Sequence, residues 1–552
     1  MARTDNLNHF LTDVASAIRY RAGTSGSIAA ADFDTEIENI PSSGSNPGDF
    51  FNGDYASTSS GGTEYNFFRE KYIKSNASLV PIDCTGKATL YKFFQDCKWD
   101  HLPKLKNTSN VTTFEQCFSG CTNATSLDLS AVDTSSATGN GMAYMFYGCQ
   151  KITSLDLSGF DFSGIASLSG TFGGLTSLTS LNLGTSSTPQ LTNMYQAFAN
   201  IFYNVSVNCT LDLSNFDLSN VTTIASAFVN TGNTDHLTEL RLPTLASGRF
   251  FSNKLTNMSS AFYGRSGLTS LPVGDFDTSN VTDFQDAFRG CYNLVFPSNY
   301  TLNISSCSYF RGTFSGCSKL KDITFTGIKA DTTFLDVFTN AFYSFNDNTE
   351  EGNLKFIGDG TGKMVGFSTN TFSYCCGYYG NKLNIEFDND LYFVIAGTST
   401  TASYLPFYRC SADTITVKNA KIKTLNILAY NSYVKHWRFI NCDWSDCNRM
   451  YRTWYYGGNI VKSIEIPDFT GLEPNNSFQE TFYGCTGLEL LDIRGMLFSQ
   501  GAPTGIFDIA STSNQIPANC VIVVKDDTEK AAFTTALPRF TNVMTVAEYE
   551  AQ

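Results

Sequence analysis

The sequence of 552 residues predicts an α/β repeat solenoid, and three observations predict it. A Phe-x-Gly-Cys motif recurs, as in Phe118-Ser119-Gly120-Cys121 and Phe146-Tyr147-Gly148-Cys149. Each copy is followed at one fixed offset by a Leu-x-Leu signature, such as Leu127-Asp128-Leu129-Ser130 and Leu155-Asp156-Leu157-Ser158. Further aromatic anchors (Phe172, Phe198, Phe228, Phe262, Phe288, Phe314, Phe372, Phe407, Phe439 and Phe482) follow, most of them about 26 residues apart. A constant period of that size is the mark of stacked repeats, in which each unit packs only on its neighbours.

The elements of one repeat follow from its residue pattern. Leu-x-Leu alternation puts both leucines on one face of a short strand, which turns them to the core. Asp and Ser just after the strand satisfy turn backbone with their own side chains. A third motif, Asp277-Thr278-Ser279-Asn280-Val281-Thr282, echoes Asp217-Leu218-Ser219-Asn220-Val221-Thr222. In the segment that follows, apolar residues stand at 281, 284, 287 and 288, a spacing that predicts a short helix ended by Gly290. No unit buries its apolar face alone, so neighbouring strands are expected to line up as a parallel sheet.

The ends depart from the repeat. Leu7, Phe10, Leu11, Val14 and Ile18 form a helical stripe closed near Gly23, and Phe33 and Ile37 begin a second one before Pro41. Residues 1–40 thus read as a short helical segment that needs a partner, and 41–63, rich in Ser, Gly, Pro and Asn, as a flexible linker. The repeat is assigned to 64–500. Residues 501–552 read as a C-terminal cap, with a strand at Val521–Val524, a helix from Thr528 to Ala536 and a closing strand near Val543.

Composition excludes several functions. Only 16% of residues are charged, against about 25% in ordinary domains, while Phe numbers 46 and Tyr 27. The net charge of −14 and the lack of a basic stripe argue against nucleic acid and anionic membrane surfaces. No apolar run is long enough to cross a bilayer, and the first residues lack the apolar core of a secretory signal. Five of the 16 cysteines, Cys121, Cys149, Cys291, Cys317 and Cys485, close the same Phe-x-Gly-Cys pattern, which marks them as small buried side chains rather than metal ligands.

The sequence shows no catalytic, cofactor or metal constellation. His9, His101, His236 and His436 are scattered, and Gly358-Asp359-Gly360-Thr361-Gly362-Lys363-Met364 has the wrong glycine spacing for a phosphate loop. The chain is therefore expected to be no enzyme and to carry no cofactor. One cluster points to binding. Trp437, Trp444 and Trp454 lie near Tyr433 and Tyr455, and exposed Trp and Tyr are favoured at recognition surfaces. The competing reading places these rings in a wider core, with Trp454 in an anchor position.

The units resemble the BspA-like branch of leucine-rich repeats, which read Leu-Asp-Leu-Ser, Asp-Thr-Ser-Asn-Val-Thr and Met-x-x-Met-Phe-x-Gly-Cys. Leu191-Thr192-Asn193-Met194 through Phe198 keeps that form, as does Leu255-Thr256-Asn257-Met258 through Phe262. The likeness covers most of 80–500 and weakens beyond about 320. Residues 6–15 and 31–37 resemble the N-termini of bacteriophage tail-fibre and other virion proteins. That resemblance implies that Leu7, Phe10, Leu11, Val14, Ile18, Phe33 and Ile37 attach the chain to other virion proteins. It also implies synthesis in the host cytoplasm, assembly as a homo-oligomer on the virion (tail rather than capsid), and a solenoid that contacts bacterial surface protein or glycan. A capsid head fibre or decoration protein, and a bacterial surface adhesin, are the alternatives.

Overall fold

The computed structural model describes residues 81–245, 250–270, 276–296, 300–317, 319, 322–328, 352–358, 364–365, 383–388, 392–396, 407, 410–426, 428–429, 432–447, 449–455, 458–470, 480–502, 504–507 and 515–552. Helices and linker expected within 1–63 therefore lie outside the described residues. The remainder is a parallel β-solenoid, as the repeat predicts. All paired strands are parallel; between Tyr300–Asn303 and Asn542–Thr545 ten of them form one sheet in chain order, and Met364–Val365, Tyr392–Ala396 and Lys421–Asn426 form a second, three-stranded one. In the earlier coils the strands are short, such as Ser154–Asp156 beside Ser180–Asn182, and single bridges replace longer pairings.

The expected helix at 281–288 is not formed. Val281 to Phe284 is extended chain with a bridge at Asp283, and turns follow from Gln285. Every second amide reaches the next coil: Phe284 to Tyr309 O at 2.7 Å, Asp286 to Arg311 O at 2.9 Å, Phe288 to Thr313 O at 2.9 Å and Gly290 to Ser315 O at 2.7 Å. The amides between them bond three residues back, Ala287 to Phe284 O and Arg289 to Asp286 O. An α-helix would instead satisfy its amides beyond the first turn within itself. Left-handed backbone two residues before and two after the ring makes the ladder close, with φ of 53° at Asp286 and 76° at Gly290. The left-handed position before the ring recurs at Gln116, Tyr144, Gly170, Gln196, Ser226 and Ser260. Side chains four and one before the ring, the ring itself and the residue three after it all point inward, so the pattern imitates helical spacing.

That geometry stacks the anchors. Phe94, Phe118, Phe146, Phe172, Phe198, Phe228, Phe262, Phe288 and Phe314 form one column with centroids 5.1–6.1 Å apart and planes within 18° of parallel. The motif cysteines lie beside it, buried and free, and each thiol donates to the previous anchor's carbonyl. Cys121 does so to Phe94 O, Cys149 to Phe118 O and Cys291 to Phe262 O, each at 3.0 Å. These cysteines are thus polar links as well as apolar filling. Threonines link the coils elsewhere: buried Thr134 donates to Asp161 O at 3.2 Å and accepts from Asp161 N at 2.7 Å.

Leu175, Ile201 and Thr231 take the cysteine position in other coils, and one coil places a charge there. Arg265 occupies the cysteine position, fully buried, and pairs with equally buried Asp235 at 2.8 Å. Its Nε donates to Phe228 O, where a thiol would, and its terminal nitrogens reach Phe198 O at 3.3 Å and Ile201 O at 3.4 Å. At the C-terminal end, Val521–Val524 and Asn542–Thr545 extend the sheet. Between them the helix Asp527–Ala536 starts at Asp526, whose carboxylate accepts from Thr528 N and Glu529 N. It and Val546–Glu550 are the two α-helices among the described residues.

Candidate binding surfaces

The tryptophan patch is corrected by burial. Trp437 and Trp454 are fully buried and Trp444 is 2% exposed, so none offers a face to a ligand. Their core role follows from the coil register. Trp454 takes the anchor position and stacks on Phe482 at 5.4 Å and 12°. Trp437 projects inward from the strand Tyr433–Ile440 and meets Phe407 at 5.5 Å, while Trp444 packs between Phe439 and Phe469. Wider coils use indoles where earlier ones use phenyl rings. Tyr433 and Tyr455 are half-buried at the rim. The virion-attachment residues Leu7, Phe10, Leu11, Val14, Ile18, Phe33 and Ile37 lie outside the described residues.

What the Trp cluster leaves exposed is a small cation–aromatic group. Tyr455 and Tyr483, each one residue after its anchor, stack at 4.6 Å and 14°. The Arg452 guanidinium lies 4.6 Å from the Tyr455 ring centre and 4.9 Å from that of Tyr451, and pairs with Glu480. Adjacent coils thus repeat the same turn position with complementary groups.

The outward sheet face carries a longer array. Parallel register places Lys355, Glu386, Thr416, Arg438, Glu465 and Asp492 in one row across six strands. Glu386 accepts from Lys355 at 2.8 Å and Lys418 at 2.6 Å, and Arg438 meets Glu465 at 3.1 Å. Burial alone would raise the Glu386 pKa, but the two lysines hold it below its ordinary value. A parallel row runs Asn353, Asn384, Thr414, His436 and Ser463, with Asn384 donating to Asn353 at 3.2 Å and the His436 ring 2.9 Å from the Ser463 hydroxyl. Such partly exposed pairs add little stability, about 0–1 kcal/mol each. Their effect is a fixed pattern of charge, which selects partners and steers encounter.

The Asp and Ser residues of the turns have structural partners. Asp128 accepts from the Ser130 hydroxyl at 2.7 Å and its amide at 3.1 Å. Sequence reasoning missed Arg265, Asp235 and the sheet rows. An internal alignment flags Arg265, because it is the one basic residue at a cysteine position; the rows depend on strand register.

No curated protein matches the chain significantly. The pattern of anchors, turn ladder and parallel strands agrees with one family comparison: residues 88–205 and 244–352 match the model described as "Mycoplasma protein of unknown function, DUF285", so this repeat solenoid carries two segments similar to that family.

Proposed function

We propose that the chain is a non-catalytic, surface-displayed adhesion scaffold that contacts a macromolecular partner through the outward sheet face. The observation that carries this reading is the in-register row from Lys355 to Asp492, in which Lys355 pairs with Glu386 and Arg438 with Glu465 across coils. A partner of complementary charge meets a pre-organised surface there and orders few side chains on binding. Similarity to a family described from a cellular organism favours an adhesin of the cell surface. Immunogold labelling of intact cells of the source culture tests the location, with label on the envelope expected. Full-length protein carrying Lys355→Glu and Arg438→Glu should then lose most of its binding to target cells. Wild-type binding by that variant would remove the sheet face from the mechanism.

A second reading keeps the same scaffold on a phage particle, as a tail fibre or a head fibre. The sequence of residues 1–40 favours it, through their likeness to virion attachment segments. Copies arrayed on one particle would multiply weak contacts by avidity. Gold label confined to sedimented particles would support it and overturn the cell-surface reading.

A further inference from the structure

A second exposed surface runs along the turn ladder, and its chemistry differs from that of the sheet face. From Phe162 to Leu211, fifty consecutive residues, there is no Asp, Glu, Lys, Arg or His. At the chain's overall 16% charged residues, eight would be expected in fifty (0.16 × 50). Tyrosines stand at outward turn positions within this stretch and on the coil before it. Tyr147, one residue after its anchor, is 41% exposed, and Tyr195, three before the anchor two coils on, is 39% exposed.

The rings are held by glycine. A Cβ added to Gly173 would come within 2.9 Å of Tyr147 Cδ2, and one on Gly170 would overlap the ring of Tyr144. Tyr144 and Tyr147 therefore rest on bare backbone of the following coil, edge to face at 5.6 Å and 70°. The Ser169 hydroxyl donates to Tyr144 Oη at 3.3 Å. The side chain of Asn193, two residues before Tyr195, is fixed by accepting the Tyr195 amide at 2.8 Å, and Gln196 follows Tyr195 in the chain.

We infer that this surface binds a neutral carbohydrate chain. The C–H face of a pyranose packs on an aromatic ring, and its hydroxyls require amide and hydroxyl partners, both of which are present. Tyr144 and Tyr147 lose little rotamer freedom on binding, because the glycine floor already sets them. An anionic polymer would find no cation from Phe162 to Leu211, and Lys151 on the coil before is tied to Asn123 at 3.0 Å, whereas counter-charge is what such polymers need. This reading goes beyond the sheet-face proposal and does not depend on it.

The test is affinity electrophoresis of the full-length protein through gels containing dextran, mannan or xyloglucan, with heparin as the anionic comparison. Retardation by at least one neutral polymer is expected, with Kd raised tenfold or more in Tyr147→Ala and Tyr195→Ala. Tyr147→Phe keeps the stacking face and should bind like wild type, as should Tyr309→Ala, which removes an exposed ring on a distant coil. Retardation should persist from about 0.05 M to about 0.5 M salt, since no ion pair is made. Retardation by heparin alone, by no polymer, or equally in the two alanine variants would overturn the inference.

Discussion

Neutralising Asp235 should damage the solenoid at one place more than any surface change could. Asp235 and Arg265 are both fully buried. Besides the ion pair, the carboxylate accepts from Gly267 N at 2.8 Å and Leu237 N at 3.3 Å. Burial pulls the Arg265 pKa down, and Asp235 opposes that pull. Asp235→Asn keeps the shape and removes the charge, which leaves a guanidinium unpaired in the core. Breaking a buried pair in this way costs about 3–5 kcal/mol. Arg265→Cys restores the repeat's thiol toward Phe228 O but leaves the buried Asp235 without its counter-charge and Phe198 O without its donor, with a loss of similar size. The double variant removes both charges and should recover up to about 3 kcal/mol relative to the sum of the singles. Solenoids open locally, so a global melting midpoint would under-report the effect. Hydrogen exchange at the amides of Phe228, Asn230, Phe262 and Gly264, all bonded between coils, reads it directly. At about 1.4 kcal/mol per decade, exchange in Asp235→Asn should accelerate roughly a hundredfold or more there, with Phe118 and Phe146 unchanged. Protection within threefold of wild type, or strictly additive losses, would refute the reasoning.

Acid should weaken the turns through their carboxylates. The hydroxyl and then the amide of the serine two residues on hold Asp128, Asp133 and Asp212 below their ordinary pKa of 3.8. A depressed folded value means that their stabilisation is complete above the unfolded value and is lost as pH falls through the folded one. Thermal melts followed by circular dichroism should therefore be flat above about pH 5 and fall below about pH 4. A drop already complete by neutral pH would assign acid sensitivity to other groups. For Trp454, whose Nε1 finds no hydrogen-bond partner among the described residues, Phe should cost less than about 1.5 kcal/mol and Ala about 3–5 kcal/mol. Equal losses from the two variants in denaturant titrations would mean that Trp454 is not an anchor in the ring column.

How far the sequence discloses the fold depends on which contacts are local. Leu155-Asp156-Leu157-Ser158 reveals its strand and its turn, because alternation and the Asp–Ser bond both act within four residues. The segment 281–288 misleads because its inward positions fall at helical intervals while its amides are bonded to another coil, and no local pattern records where an amide goes. Trp437 and Trp444 mislead for a related reason. Large aromatics crowd both cores and binding surfaces, and only the width of the coil around them decides between the two. The Tyr147–Gly173 contact joins residues one coil apart and becomes readable once the anchors are aligned.

The low charge of the chain follows from how its coils are joined. Each step needs polar groups satisfied at a repeating interface, and a buried charge at every step would need a partner at every step. Thr134 satisfies both the amide and the carbonyl of Asp161 with one hydroxyl, and Cys149 satisfies Phe118 O with one thiol, both without charge. Where the step is irregular, before Arg265, a single ion pair reaches three anchor-region carbonyls at once, and this is the one fully buried pair among the described residues. With the interface thus served by neutral side chains, outward positions are free to vary without disturbing the stack. The coils around Tyr147 use that freedom for aromatic and amide groups, and the strands from Lys355 to Asp492 use it for alternating charge. One backbone therefore displays two surfaces of opposite chemistry, and changes at either leave the column of anchors untouched.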